Sequence, residues 1–234
     1  MFQFKQFAIN QTNCAMKINT DGVLLGALAA VNQPENILDI GTGTGVIALM
    51  LAQRFANATV DAVEIDKAAA HTARINFQNS KFNDRLALYA HSFEDYFENH
   101  AQKKYDLIVS NPPFYINSLE SPEAKKNMAK HADGDFFEGL IKAVANRLTH
   151  TGTCWLILPL DTAELVKTIA QQNNLHLQKT IAIKSYPDSK PHREMLVFGL
   201  NDAMSNDEEF VIYREEKVYS DEYQNALRDF FTIF

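Results

Sequence analysis

The stretch Ser110-Asn111-Pro112-Pro113-Phe114 follows the apolar run Leu107-Ile108-Val109, and two consecutive prolines end any strand or helix there. Proline fixes φ and donates no hydrogen bond, so the peptide joining Asn111 to Pro112 is stiff and its carbonyls stay free to accept. The Asn111 side-chain oxygen and the Pro112 carbonyl can then both accept from one planar amino group. The exocyclic amine of a base such as adenine has its lone pair spread into the ring and is a poor nucleophile. Two acceptors on its hydrogens concentrate electron density on nitrogen as it attacks, a stabilisation confined to the transition state. Phe114 offers a face on which such a base stacks once it leaves its neighbours. A Pro-Pro turn over a core phenylalanine accounts for the prolines, but not for an Asn before them at the tip of a strand.

A second constellation is Asp39-Ile40-Gly41-Thr42-Gly43-Thr44-Gly45, which follows a short apolar run and precedes a helical pattern. Glycines let backbone pass close to a ligand, and a helix N-terminus offers free N–H groups to an anion. The dinucleotide spacing GxGxxG needs a third glycine at position 46, which is Val46. The spacing is instead DxGxGxG, and the anion it suits is a carboxylate rather than a pyrophosphate. About 20 residues on, an acid at the end of the next strand is placed to meet the two hydroxyls of a ribose. Glu64 fits that role, because alternation with Val63 and Ile65 sets it outside the core, while Asp66 is positioned to cap the following helix.

The elements that must hold these residues alternate regularly. Strands are expected over residues 37–40, 59–65, 86–90, 106–109 and 153–158. Helices are expected over 46–51, 67–79, 93–97, 136–148 and from Asp161 to about 172, with Asp21 capping an earlier helix over 22–31. Phe2, Phe4, Phe7 and Ile9 suggest short strands covering one edge, and residues 117–134 read as a long polar loop. After Leu175, strands over 177–183 and 195–200 follow one another without a helix and are expected to pair antiparallel. A last strand near 210–213 and a helix from Asp221 close the chain. This order predicts one α/β domain, a doubly wound, mostly parallel sheet with an antiparallel edge at its C-terminal end. It divides into N-terminal packing elements (1–34), a core (35–200) and a C-terminal strand and helix (201–234).

Composition narrows the partners. The 234 residues carry a formal net charge of −7, so there is no general basic footprint for nucleic acid, and local patches must hold any RNA. Cys14 and Cys154 form no CxxC pair, and the seven histidines show no ligand spacing, which argues against a disulfide framework or a bound metal. The N-terminus lacks a signal-peptide core, and the most apolar stretch, residues 22–31, is too short to span a bilayer. The expectation is a cytoplasmic protein. Lys125, Lys126, Lys130 and His131 form a basic patch close in sequence to the clamp, and Lys190, His192 and Arg193 a weaker one.

DIGTGTG together with NPPF resembles the class I S-adenosylmethionine-dependent amino-methyltransferases, with their seven-stranded, Rossmann-like sheet. Phe4-Lys5-Gln6-Phe7, Cys14-Ala15-Met16-Lys17, Thr20-Asp21-Gly22-Val23-Leu24-Leu25-Gly26, Pro191-His192-Arg193 and Tyr219-Ser220, in this order, resemble the bacterial valine-tRNA adenine-37 N6-methyltransferases over essentially the whole chain. The resemblance implies S-adenosyl-L-methionine as cofactor, tRNA as substrate, no metal and a monomeric enzyme. It implies a cofactor site of Thr20, Asp39, Gly41, Thr42, Gly43, Gly45, Glu64, Ser92, Phe93 and Asn111, with Thr20 and Asp21 in the family's N-terminal motif. Asn111, Pro112 and Phe114 are then catalytic, and Lys125, Lys126, Lys130, His131 and Arg193 contact RNA. Many relatives carry an acid after the third strand to hold the cofactor's adenine, where this chain reads Ala90-His91-Ser92-Phe93. A hydroxyl accepts more weakly than a carboxylate. The competing readings are a glutamine N5-methyltransferase of a translation release factor, another RNA or DNA amino-methyltransferase, and a non-catalytic cofactor- or RNA-binding module. The first usually brings a helical N-terminal domain, for which there is no room before Ile37.

Overall fold

Strands whose residues are apolar on both faces need helices above and below them, and that arrangement organises this chain. The computed structural model describes all residues except 13, 15, 113–122 and 203, and describes the backbone alone over 123–133. β1 (Phe2–Gln3) and β2 (Ala8–Ile9) pair antiparallel, and α1 (Thr20–Leu28) follows. The alternating part runs β3 (Asn36–Ile40), α2 (Val46–Arg54), β4 (Thr59–Val63), α3 (Lys67–Gln78), β5 (Leu86–Tyr89), α4 (Phe93–Asn99), β6 (Tyr105–Ser110), α5 (Glu123–Ala145), β7 (Leu148–Leu158) and α6 (Leu160–Gln172). The chain continues through β8 (His176–Lys184), β9 (Arg193–Gly199), β10 (Asn206–Val211), β11 (Tyr213–Glu215), β12 (Val218–Tyr219) and α7 (Asp221–Leu227).

The main sheet has the order β10-β8-β9-β7-β6-β3-β4-β5. It is mostly parallel and doubly wound, as expected, but it has eight strands rather than seven. The expected antiparallel pairing of residues 177–183 with 195–200 is present as β8 with β9, but the C-terminal strand is not the reversed one. β9 is antiparallel to both β7 and β8 and lies inside the sheet, whereas the C-terminal strand β10 pairs parallel to β8 at the edge. β10 begins inside the acidic stretch, since edge pairing asks only for backbone groups and leaves Asp207, Glu208 and Glu209 in solvent. Such charges also protect an open edge from pairing with another chain.

Two apolar layers cover the sheet. One packs Leu24 and Leu25 of α1, Leu49 and Met50 of α2, Phe77 of α3 and Leu227 of α7 against it. The other packs Phe97 of α4, Ile141 of α5 and Val166 of α6. The second layer also holds a polar centre, where Asp61 of β4 accepts from Tyr96 (2.5 Å) and Tyr105 (2.7 Å) and pairs with Lys103 (2.5 Å).

Helix ends correct the sequence reading in three places. Asn19, not Asp21, caps α1, its Oδ1 accepting from Gly22 N at 2.8 Å, and Asp21 instead pairs with Arg193 at 2.9 Å. Pro159 precedes α6 without a side-chain cap, and Asp161 lies in the first turn, where the helix dipole favours an acid. α5 starts at Glu123, so the expected loop is helical from there and carries Lys125, Lys126, Lys130 and His131 within it. Its first half lacks an apolar stripe but is rich in Ala and Lys, which favour helix by propensity alone.

The turn from β3 into α2 needs backbone that other residues resist. Gly41, Gly43 and Gly45 have φ of 73°, 55° and 83°. A β-carbon at Gly45 would lie 2.5 Å from Phe77 Cε1, whereas at Gly41 it would meet nothing within 4 Å. Gly45→Ala should therefore lose roughly 1–2 kcal/mol for the left-handed conformation and about 1–3 kcal/mol more for overpacking, while Gly41→Ala loses only the first. Urea unfolding midpoints of the two variants check the difference.

Candidate active site

The strand order reverses between β3 and β6, which lie side by side while their following strands run off in opposite directions. In an open α/β sheet such a reversal leaves a crevice at the carboxyl ends of the strands. Ser110 ties the two tips, its Oγ donating to Ile40 O at 2.8 Å. The glycine loop folds back over β4, with Gly41 N and Thr42 N donating to Val63 O at 2.8 and 3.1 Å. Above these tips lies a cavity of about 450 Å³, within the range of small-molecule sites.

The cavity brings together Gly41, Gly43, Glu64, Ser92, Phe93, Asn111 and Pro112 of the expected site residues. The Glu64 carboxylate stands at its wall, buried, with Oε2 accepting from Gly43 N and Oε1 from Asp66 N, both at 2.8 Å. Each oxygen keeps acceptor capacity on its other lone pair. Asn111 is 8 % exposed, and its Oδ1 is buried without a hydrogen-bond partner among the described residues. An orphaned buried acceptor costs about 1–3 kcal/mol, so this atom is one for a ligand to satisfy. Phe114 lies outside the described residues, as do the side chains of Lys125, Lys126, Lys130 and His131.

Four expected cofactor residues stand elsewhere. Asp39 is fully buried beneath the loop, where its Oδ2 accepts from Thr42 Oγ1 at 2.6 Å and from Ala48 N at 3.2 Å. It clasps the loop to the start of α2, and Thr42 turns inward to serve that clasp. Gly45 abuts the Phe77 ring. Thr20 lines a different hollow, on the far side of the first turn of α1. Arg193, expected at RNA, is joined to Asp21. Ser92 faces the cavity but is engaged as the cap of α4, its Oγ accepting from Asp95 N.

Several lining residues escaped sequence reasoning. Ile65, expected in the core, is 71 % exposed at the cavity, because β4 ends at Val63 and the alternation stops with it. Glu94 lines the cavity two residues beyond Ser92 and supplies a carboxylate on that side. Its position in the first turn of α4 was the available signal. Phe136 arrives from α5 and meets Phe93 edge-on at 5.8 Å. Cys14 and Met16 come from the N-terminal segment, which no local pattern connects to the site. Asn76 makes that connection, exchanging hydrogen bonds with the Asn10 backbone and donating to Thr44 O at 2.8 Å.

The residues present fit the expected cofactor. Gly41 and Gly43 leave open space where β-carbons would stand, Glu64 offers acceptors, and Ile40, Ile65, Ala69 and Phe93 supply apolar wall. Among the described residues no three metal-ligating side chains come together and no helix is long and apolar enough to cross a membrane.

A family model of the methyltransferase small domain matches residues 17–174. The tRNA1(Val) (adenine(37)-N6)-methyltransferase of Pedobacter heparinus is 48 % identical over 233 residues, covering 100 % of this chain and 98 % of that protein. The protein of the same name from Bacteroides thetaiotaomicron is 41 % identical, covering 98 % of this chain and 96 % of its own. Among solved structures, a predicted O-methyltransferase from Agrobacterium tumefaciens superposes with a TM-score of 0.70 at 16 % identity, over 90 % of this chain and 96 % of its own. That likeness is one of fold.

Burial pushes the Asp39 carboxyl up to about 7; the Thr42 and Ala48 hydrogen bonds oppose this, and the Glu64 charge adds to it. The unfolded value is about 3.9. Between the two the folded chain holds a proton that the unfolded chain has lost, so stability falls as pH rises from about 4 to about 7 and levels off above. The difference in unfolding free energy between wild type and Asp39→Asn, measured by urea titration from pH 4.5 to 8.5, should shift in favour of the variant as pH rises. A pH-independent difference would mean that Asp39 titrates normally.

Proposed function

The chain belongs to the methyltransferase small domain family and, within it, to the tRNA1(Val) (adenine(37)-N6)-methyltransferases, and from that membership we infer that it methylates N6 of adenine 37 in a valine tRNA. S-adenosylmethionine, when bound, supplies an electrophilic methyl group on a sulfonium. In this reading the backbone at Gly41 and Gly43 and the carboxylate of Glu64 hold that cofactor, with Ile65 and Phe93 as apolar contacts and Glu94 as the acceptor that Ser92 is too engaged to be. The protein acts as a monomer in the cytoplasm, on a soluble RNA.

The observation that carries the chemical reading is the orphaned Asn111 Oδ1 at the tip of β6. An adenine extruded from the anticodon loop presents its amine there, and Asn111 Oδ1 with the Pro112 carbonyl accepts its two hydrogens. Electron density gathers on nitrogen as it becomes tetrahedral; methyl transfer would form the N–C bond as the sulfonium C–S bond breaks, leaving a neutral thioether, and the surplus amine proton would pass to water. Neither acceptor has to move, which is where preorganised sites gain most. Phe114 is the proposed stacking face, and the α5 lysines with His131 are the proposed phosphate contacts.

Asn111→Ala should lower the single-turnover methylation rate by about 10²–10³, with the product nucleoside identified by mass spectrometry from unmodified valine tRNA. A near-normal rate would reduce the Asn-Pro-Pro stretch to a turn. The same assay on wild type decides the substrate, since absence of N6-methyladenine at position 37 would overturn the reading.

Glu64 is separable from the chemistry. Glu64→Gln keeps the side-chain shape but weakens the acceptors, and should cost roughly 1.5–3 kcal/mol of S-adenosylmethionine binding, as for a charged hydrogen bond. Calorimetric titration showing unchanged affinity would remove Glu64 from the cofactor site.

A further inference from the structure

This acidic chain gathers its free positive charge in one place. Among the described residues most lysines and arginines are engaged. Lys103, Lys142, Lys179 and Lys184 pair with carboxylates, and Arg54 and Arg85 donate to backbone carbonyls. Of those that make neither ion pair nor hydrogen bond there, Lys67, Arg74 and Lys81 stand on or just after α3 and Lys17 on the N-terminal segment, with Lys190 and Arg228 elsewhere. Lys67, His71 and Arg74 are exposed at a spacing of four and three residues, which sets them on one face of the helix. Lys81 is exposed in the turn that follows, over the Phe82 ring at 5.4 Å. The opposite face, with Ala69, Ala73 and Phe77, is buried.

No carboxylate offsets these charges along the helix. After Asp66, whose Oδ1 caps α3 by accepting from Ala69 N at 2.7 Å, the next acid in the chain is Asp84, and residues 1–20 hold none. The two acid-free segments pack together, since Asn76 exchanges hydrogen bonds with the Asn10 backbone and Thr72 Oγ1 donates to Thr12 O at 2.9 Å. Their joint surface starts at the reactive cavity. Asp66 and Ala69 of α3 and Met16 of the N-terminal segment line that cavity, and Lys67 and Lys17 are their neighbours in sequence. From there the 12 residues of α3 run for about 18 Å. A base that enters the cavity stays joined to its strand, so the phosphates flanking it must cross the rim. Phosphate contacts supply a large share of the affinity for a nucleic acid, and a chain of net charge −7 can make them only where cations are not already neutralised. No large apolar side chain is exposed between Lys67 and Lys81, so the face suits RNA better than a membrane or an apolar protein partner.

We propose that the outer face of α3, from Lys67 through Arg74 to Lys81, with Lys17 of the adjoining segment, is a phosphate-binding track for the tRNA strand that flanks the target adenine. The proposal rests on the tRNA reading above. It adds a surface distinct from the α5 cations, because α3 belongs to one helical layer and α5 to the other.

Lys67→Gln combined with Arg74→Gln removes two charges from exposed positions and keeps good helix formers there. For an unmodified valine tRNA transcript, this double variant should lose roughly 1.4 from the slope of log affinity against log salt, about 0.7 for each single-strand phosphate. Its affinity should match wild type at about 1 M salt and fall about twentyfold below it at about 0.1 M. KM for the transcript should rise by a similar factor, while kcat at saturating tRNA and S-adenosylmethionine affinity by calorimetry stay at wild-type values. Lys81→Gln, which lies outside the helix, should by itself lower the slope by roughly 0.7. A control removes the same charge where β6 begins and α5 ends, as Lys104→Gln with Lys142→Gln, both exposed; it should leave the slope unchanged. A wild-type slope in either α3 variant, or an equal fall in the control, would overturn the track while leaving the methylation reading intact. Failure of the wild type to methylate tRNA at all would overturn the methylation reading, and the track with it.

Discussion

The parallel pairing of β3 with β6 is the constraint on which the rest of this molecule depends. Residues 37–40 lie in register with residues 107–110, yet 64 residues of chain and two further strands intervene between the two elements. Because β4 and β5 extend the sheet one way and β7 the other, neither helical layer can close over the tips of the central pair. The gap so left receives the glycine loop on one side and Asn111 with Pro112 on the other. The Ser110–Ile40 hydrogen bond fixes their separation. Everything chemical is hung from backbone that the core over-determines, since Leu38, Ile108 and Val109 are fully buried.

The site is under-satisfied by design of its surroundings. Asp39 Oδ1 and Asn111 Oδ1 are both buried without partners among the described residues, and each carries a desolvation cost that the apolar layers must outweigh. They differ in purpose. Asp39 lies behind the loop, where its cost is the consequence of gripping Thr42 and Ala48 from within the core. Asn111 faces the cavity, where a bound amine would recover the cost. Glu64 sits between the two as a carboxylate whose backbone donors, Gly43 and Asp66, hold it in place before any ligand arrives.

The chain ends complete the structure around α1. Phe4 bridges to Phe231, and Lys5 Nζ donates to the carbonyls of Arg228 and Phe234 at 2.5 and 2.9 Å. These contacts join both termini into one apolar cap that presses α1 onto α2. The first turn of α1 thereby stands beside Asn111 with a glycine, where a β-carbon would meet Asn111 Nδ2 at an ordinary contact distance of 3.7 Å and crowd the capping Asn19 Oδ1 at 3.3 Å. A segment that reads as peripheral in sequence comes to stand against Asn111.

Strand-helix alternation, the glycine spacing, Glu64 and the Asn-Pro-Pro stop were legible in the sequence because each is a local pattern. Two-residue and 3.6-residue periodicities, turn residues and caps act within a few positions of themselves, and a buried parallel strand announces itself as a run such as Leu107-Ile108-Val109. What the sequence could not show is which of those residues share a wall. Asp39 and Thr42 read as ligand-facing, yet folding turned them toward each other. Ile65 read as core but was released by the end of β4. Asp21 read as a cap and met Arg193, 172 positions away. Cys14, Met16 and Phe136 entered the cavity through contacts with no signature at their own positions. Strand order, the reversed β9 and the edge placement of β10 are decided by how apolar faces compete for the sheet. That competition is a property of the whole packed chain rather than of any window along it.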